Sequence, residues 1–230
     1  TALSASEGVH VRYVSNVAEL AVPDLVVLPG TKSTIADLRW LRQNGLEAAI
    51  KKLSQGNTVI FGICGGYQML GQQITDLEGA EGGGSIAGIG LLPVETTFAA
   101  AKHRTRVTGQ AVAIEGVLAA LSGATIEGYE IHMGETTLLS EAKSLLQLDN
   151  GREDGCQLGN VYGSYLHGFF DSSDCRKAIL PVLAQNKQLT ISDQAFDMVA
   201  YKESQYDLLA SSLRENLDIP EIYRIINKGV

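Results

Sequence analysis

Cysteine is scarce in this chain: three in 230 residues, at positions 64, 156 and 175, with no C-x-x-C pair among them. An odd, unpaired set excludes a disulfide framework and makes a reducing cytoplasm the expected compartment. The four histidines, His10, His103, His132 and His167, lie far from the cysteines and lack ligand spacing, so no metal site is expected. No apolar run reaches the roughly 18 residues a bilayer span requires. The opening "TALSASEGVHVRY" lacks a basic region followed by an apolar stretch, so no signal peptide is expected. A first residue of Thr fits an excised domain or a removed initiator equally well. Charge of one sign is never blocked. The net −8 is scattered along the chain, which argues against nucleic acid or a membrane surface as partner. A phosphate-binding G-x-x-x-x-G-K-[ST] loop is also missing. The candidate stretch "GAEGGGSIAGIG" has no lysine where one is needed and reads as a flexible connection. Without a nucleotide site, the chain is not expected to activate a carboxylate by itself.

What is present is the texture of an α/β protein: short apolar runs alternating with helical periods. "VHVRYV" and "DLVVLPG" read as the first strands, and "TVIFGI" as a fully buried one with "GYQMLGQQI" starting a helix behind it. Thr34 followed by Asp37 resembles a capping box, and Gly45 is expected to interrupt the helical pattern that follows. "VETTF", "RVTGQAVAI" and "TIEGYEIHMG" look antiparallel, and "DNGREDG" reads as a turn between strands. Ser192 is placed to cap a C-terminal helix whose Tyr206, Leu209, Leu213 and Leu217 form an apolar stripe, read as packing on the sheet. Neither a repeat nor a linker appears, so one domain over 1–230 is expected.

The sharpest signal is Gly62-Ile63-Cys64-Gly65-Gly66, the G-x-nucleophile-x-G spacing of a nucleophile elbow with sulfur in place of the hydroxyl. Glycines around a strand-to-helix turn remove the Cβ atoms that would collide, and the turn presents the thiol at the mouth of the sheet. The amides that open the following helix favour thiolate, and the Gly65 amide is positioned to donate to an oxyanion. A thiol nucleophile needs a base. His167, closing the β-like run "VYGSYLH", is the candidate, and "LPGTKS" offers a second oxyanion amide from Gly30 or Thr31. Tyr67 and Gln68 follow the nucleophile and either line a pocket or pack the helix start.

Four segments, "VVLPGTKSTIADLRWLRQNGLEAAI", "FGICGGYQMLG", "GYEIHMG" and "YGSYLHGFFD", resemble the glutamine amidotransferase domain of the cobyric acid synthase family. The likeness runs from about Val9 into "YDLLASSLRENLD", and four motifs in one order are far more specific than any alone. It implies a flavodoxin-like, class I glutaminase fold: a mostly parallel sheet flanked by helices, with an antiparallel β extension, forming the C-terminal part of a longer synthase. It further implies that Cys64 attacks the side-chain amide of glutamine while His167 serves as base. By the same likeness the released ammonia passes to an ATP-dependent synthetase domain, with ATP and Mg bound there and no cofactor in this domain. That domain amidates carboxylates of adenosylcobyrinic acid a,c-diamide in cobalamin synthesis. Many class I glutaminases carry an acid two residues after the histidine. Here Phe169 stands there, so the resemblance implies a Cys–His dyad, with Glu130 an unplaced substitute. Ser164 stands where the family is expected to carry threonine. Arg106 aligns with a glutamine-gripping arginine of a related glutaminase, suited to an α-carboxylate. Three other readings stay open: a glutaminase for peptidoglycan-precursor amidation, a non-catalytic interaction domain of the same fold, and a thiol hydrolase acting on esters.

Overall fold

"VIFGI" is apolar at every position, so its alternating side chains demand cover on both faces of a sheet. In a computed structural model, which describes residues 2–139, 142–185, 187 and 198–228 (without the side chains of 99–103, 198 and 199), both faces are covered. Strand β2 (Val59–Ile63) sends Ile60 into one apolar cluster and Val59 and Phe61 into another. The chain divides into two units, one through residue 195 and a second from 196 onward.

In the first unit, β1 (Leu25–Leu28) pairs in parallel with β2. Helix α1 (Val17–Leu20) precedes β1, while α2 (Thr34–Gln43) and α3 (Leu46–Leu53) connect β1 to β2. Gly45 separates α2 from α3 with φ of 74°, the left-handed conformation that favours glycine. Helix α4 (Gly65–Leu70) starts directly behind β2. Strands β3 (Gln73–Asp76), β4 (Gly84–Ala87), β5 (Val94–Ala111), β6 (Thr125–Leu138), β7 (Leu146–Leu148) and β8 (Glu153–Asp154) then build a second, mostly antiparallel sheet. Strands β9 (Cys156–Leu158) and β10 (Val161–Ser164) return to the first sheet, giving it the order β1-β2-β10-β9 with only β9 antiparallel. One residue later the chain leaves again, as β11 (Leu166–His167) pairs with β6 at the edge of the second sheet. Helix α5 (Ser173–Gln185) closes this unit. Phe61, Phe169 and Phe170 pack ring to ring beneath it, Phe61 and Phe169 with centroids 4.6 Å apart.

The second unit consists of α6 (Met198–Asn216) and α7 (Ile219–Lys228). The apolar stripe of Tyr206, Leu209 and Leu213 lies on α6, with Leu217 just past its end. Ser192 lies outside the described residues. No described helix is long and apolar enough to cross a membrane.

Two local expectations need correction. Residues 9–14 form no strand; they are largely exposed, and Arg12 instead donates to the carbonyls of Glu19 and Leu20. Alternating apolar residues make a strand only where a neighbour offers a face to pack on. The capping box at α2 does not form either. Asp37 accepts from Thr31 Oγ1, and the Ile35 amide in the first turn of the helix donates to Glu81.

Candidate active site

The glycines around Cys64 answer to close approach of the neighbouring chain, backbone at Gly62 and Gly66 and the Thr31 side chain at Gly65. A Cβ on Gly66 would stand 2.0 Å from the Leu28 carbonyl oxygen, and one on Gly62 would stand 2.6 Å from the Tyr67 backbone. One on Gly65 would meet Thr31 Cγ2 at 2.6 Å. The turn is so tight that Cys64 itself is held at φ 51°, ψ −111°, outside the usual regions for a side-chain-bearing residue. Because Leu28 is core backbone with nowhere to go, Gly66→Ala is expected to cost about 3 kcal/mol of stability, read from urea unfolding.

The elbow sets Cys64 against Gly30 and His167. A Cβ built on Gly30 would lie 2.8 Å from His167 Cε1 and 3.5 Å from Cys64 Cβ, so ring and thiol share one small space beside Gly30. Gly30 is exposed and His167 half-buried, while Cys64 is 7% exposed just beneath them. Cys64 Sγ contacts the Ile131 carbonyl oxygen at 3.4 Å, and the His167 ring also hydrogen-bonds to the Ile131 backbone. Tyr129 stacks on the imidazole with ring centroids 5.0 Å apart and planes 6° from parallel. The strand register explains this stacking. His167 lies opposite Tyr129, and Tyr129 lies opposite Arg106, so all three project from one face. Arg106, on β5 at the end of that row away from His167, is exposed.

Glu130, one position along β6, projects from the other face. Its side chain is 3% exposed and takes an ion pair from Arg152 at 2.5 Å, so it does not orient His167. The ring is held instead by the Tyr129 face and the Ile131 carbonyl. His132 stacks on Tyr165, centroids 3.8 Å apart, and its Nδ1 donates to the Gly134 carbonyl. Tyr67 is 1% exposed, with its ring against Gly163 and edge-on to Tyr165, the surroundings of a core residue. Gln68 is equally buried; its Oε1 lies 3.2 Å from Thr34 Oγ1 and its Nε2 donates to Tyr165 Oη.

Electrostatics overturn one expectation. Burial pushes the Cys64 thiol up to about 11, outweighing the hydrogen bond from the Gly65 backbone, and the carboxylates of Glu81 and Asp154 push the same way. Burial also lowers His167 below its ordinary 6.5, against the raising effect of the Ile131 hydrogen bond. At neutral pH the pair therefore rests as thiol beside neutral imidazole, not as thiolate.

Two carboxylates near the site escaped the sequence. The glycine-rich stretch after β3 is pinned, not a loose connection. Asp76 accepts from the amides of Ala80, Glu81 and Gly83, and Glu81 then accepts from Thr34 Oγ1 and the Ile35 amide at the start of α2. Asp154, hidden in what read as a turn, is buried under the β10–β11 crossing. Neither position carries a motif; only the tertiary fold brings them to the elbow.

A parallel sheet ending in a cysteine elbow that faces a histidine is the architecture of glutamine amidotransferases. The fold matches that of PurLQS from Thermotoga maritima with a TM-score of 0.60 at 20% identity, covering 79% of this chain and 90% of that one. A second structure, of a glutamine amidotransferase, gives 0.55 at 18% identity with the same coverage. The chain belongs to the CobB/CobQ-like glutamine amidotransferase domain family, whose model matches residues 1–175. Among its curated relatives are cobyric acid synthases. Those of Lachnoclostridium phytofermentans and Ruminiclostridium cellulolyticum are each 46% identical, over 96% and 100% of this chain. That of Citrobacter koseri is 45% identical over 99% of it. The chain spans 46% of the length of each of these relatives.

Proposed function

We propose that this chain is the glutaminase part of a cobyric acid synthase, with Cys64 as nucleophile and His167 as general base. The observation that carries the reading is the shared space of Gly30, Cys64 and His167. In the first step His167 takes the thiol proton as sulfur attacks the γ-carboxamide carbon of glutamine. The amides of Gly65 and Gly30 receive the oxyanion. The tetrahedral adduct collapses as His167 returns its proton to the leaving nitrogen, releasing ammonia and a γ-glutamyl thioester. Water, deprotonated by His167, then attacks the thioester. Glutamate leaves and the thiol is restored. Arg106, on the same face as His167, is suited to the α-carboxylate of glutamine, while Tyr67 and Gln68, buried behind the elbow, support the turn and do not line the pocket.

The ammonia acceptor lies elsewhere in this reading. An ATP- and Mg-dependent synthetase region, in the same protein as in the relatives, amidates carboxylates of adenosylcobyrinic acid a,c-diamide. The relatives' names favour this over peptidoglycan-precursor amidation, and the cytoplasm is the compartment where such a reaction would run. Treatment of the full-length protein with 6-diazo-5-oxo-norleucine, a glutamine-mimicking diazo ketone, is expected to leave one adduct on Cys64 by mass spectrometry, absent in Cys64→Ser. A protein that stays unlabelled with its synthetase substrates present is instead a non-catalytic interaction domain. Ester turnover with no response to glutamine makes it a thiol hydrolase.

A further inference from the structure

We infer that Asp154 is a positioning residue for the glutaminase: acting through Ser164 and the Tyr165 amide, its carboxylate fixes the turn that delivers His167 to Cys64. The inference rests on the roles proposed above for Cys64 and His167. Strand β10 belongs to the parallel sheet and β11 to the antiparallel one, and only Tyr165 lies between them. A one-residue crossing has no slack, so any rotation there is passed directly to the imidazole.

Asp154 holds each residue of that crossing. Ser164 Oγ donates to Asp154 Oδ2 at 2.5 Å, and the Tyr165 amide donates to Oδ1 at 3.2 Å. The Leu166 amide in turn donates to Ser164 Oγ at 3.0 Å. Ser164 also anchors the other partner, its carbonyl accepting from the Cys64 amide at 2.9 Å. One carboxylate and one hydroxyl therefore tie the nucleophile's backbone and the base's backbone to a common point.

The charge state suits that task. Among the described residues no cation pairs with Asp154; the adjacent Arg152 is taken by Glu130. Burial foremost, and then the Glu130 charge, push the carboxyl up to about 6, against the hydrogen bonds that lower it. A buried carboxylate without a counter-ion is costly. What it supplies here is acceptor character at both oxygens. Asparagine cannot replace it. Turned one way, its amide meets the Tyr165 N–H donor to donor. Turned the other way, it donates to Ser164 Oγ, whose own proton then loses its acceptor.

The test is steady-state glutamine hydrolysis by the full-length protein, with wild type as reference. Asp154→Asn and Ser164→Ala are each expected to lower kcat by about 10- to 100-fold, the range for a catalytic group slightly misplaced. KM for glutamine should stay within about threefold, because neither residue faces the substrate. Ser164→Thr keeps the hydroxyl and is expected to retain most of kcat. An activity-independent readout is the pH dependence of Cys64 carboxamidomethylation by iodoacetamide, which in Asp154→Asn and Ser164→Ala should move toward that of His167→Ala. Folded variants with wild-type kcat and wild-type alkylation profiles would overturn the inference. So would a Ser164→Thr variant as impaired as Ser164→Ala. Wild-type protein that neither hydrolyses glutamine nor takes the diazo ketone fails at the earlier step, sinking the glutaminase reading and this inference with it. An active wild type with an unaffected Asp154→Asn sinks only the role of Asp154.

Discussion

Removing the imidazole of His167 is expected to lower glutamine hydrolysis by about 10²–10⁴-fold, the range for loss of a general base, and to change the shape of its pH profile. With the Cys64 thiol at about 11, roughly one molecule in 10⁴ carries thiolate at pH 7. The wild type avoids this penalty because a neutral imidazole takes the proton during attack. His167 is competent when neutral, and its titration lies below 6.5. Wild-type kcat/KM should therefore rise through an acid limb below pH 6.5 and run level above it. His167→Ala has only the pre-formed thiolate, whose fraction climbs tenfold per pH unit until the thiol titrates. Its log rate should rise with unit slope from pH 7 toward 10, narrowing the gap to wild type. A level profile in the variant would show that the thiolate pre-exists and that burial does not govern the sulfur.

That behaviour was only half legible in the sequence. The elbow spacing marks Cys64 because the turn itself imposes the glycines: Gly62 sits against the Tyr67 backbone, Gly66 against that of Leu28, and Gly65 against the Thr31 side chain. His167 was legible as the end of a strand followed by glycine. Its distance from Cys64 was not, since that depends on a crossing between two sheets at Tyr165. Helix-end amides suggested thiolate, but a count of donors says nothing about burial, and burial dominates. Glu81 and Asp154 were invisible for a common reason. Acidic residues among glycines look like turn formers, and only contacts 46 and 11 residues away in sequence, to Ile35 and Tyr165, turn them into fixed charges beside the elbow. The apolar stripe of α6 followed helical periodicity correctly as helix; periodicity alone does not say what covers it.

Gly30→Ala separates chemistry from stability more cleanly than any change at the elbow. The new methyl would stand 2.8 Å from His167 Cε1, a side-chain atom that can swing away, whereas the methyl of Gly66→Ala meets a fixed carbonyl. Gly30 does not occupy the left-handed region, so alanine adds no backbone strain. Stability should change by about 1 kcal/mol or less, while kcat/KM falls by about 10²-fold or more as the ring is pushed off the thiol. If displacement of His167 is the cause, the same substitution made in a His167→Ala background should cost far less, because the group it displaces is gone. Equal losses in both backgrounds would assign the effect to the oxyanion amide or to blocked substrate instead. Wild-type activity in Gly30→Ala would mean that the imidazole does not work from the position it occupies beside Gly30.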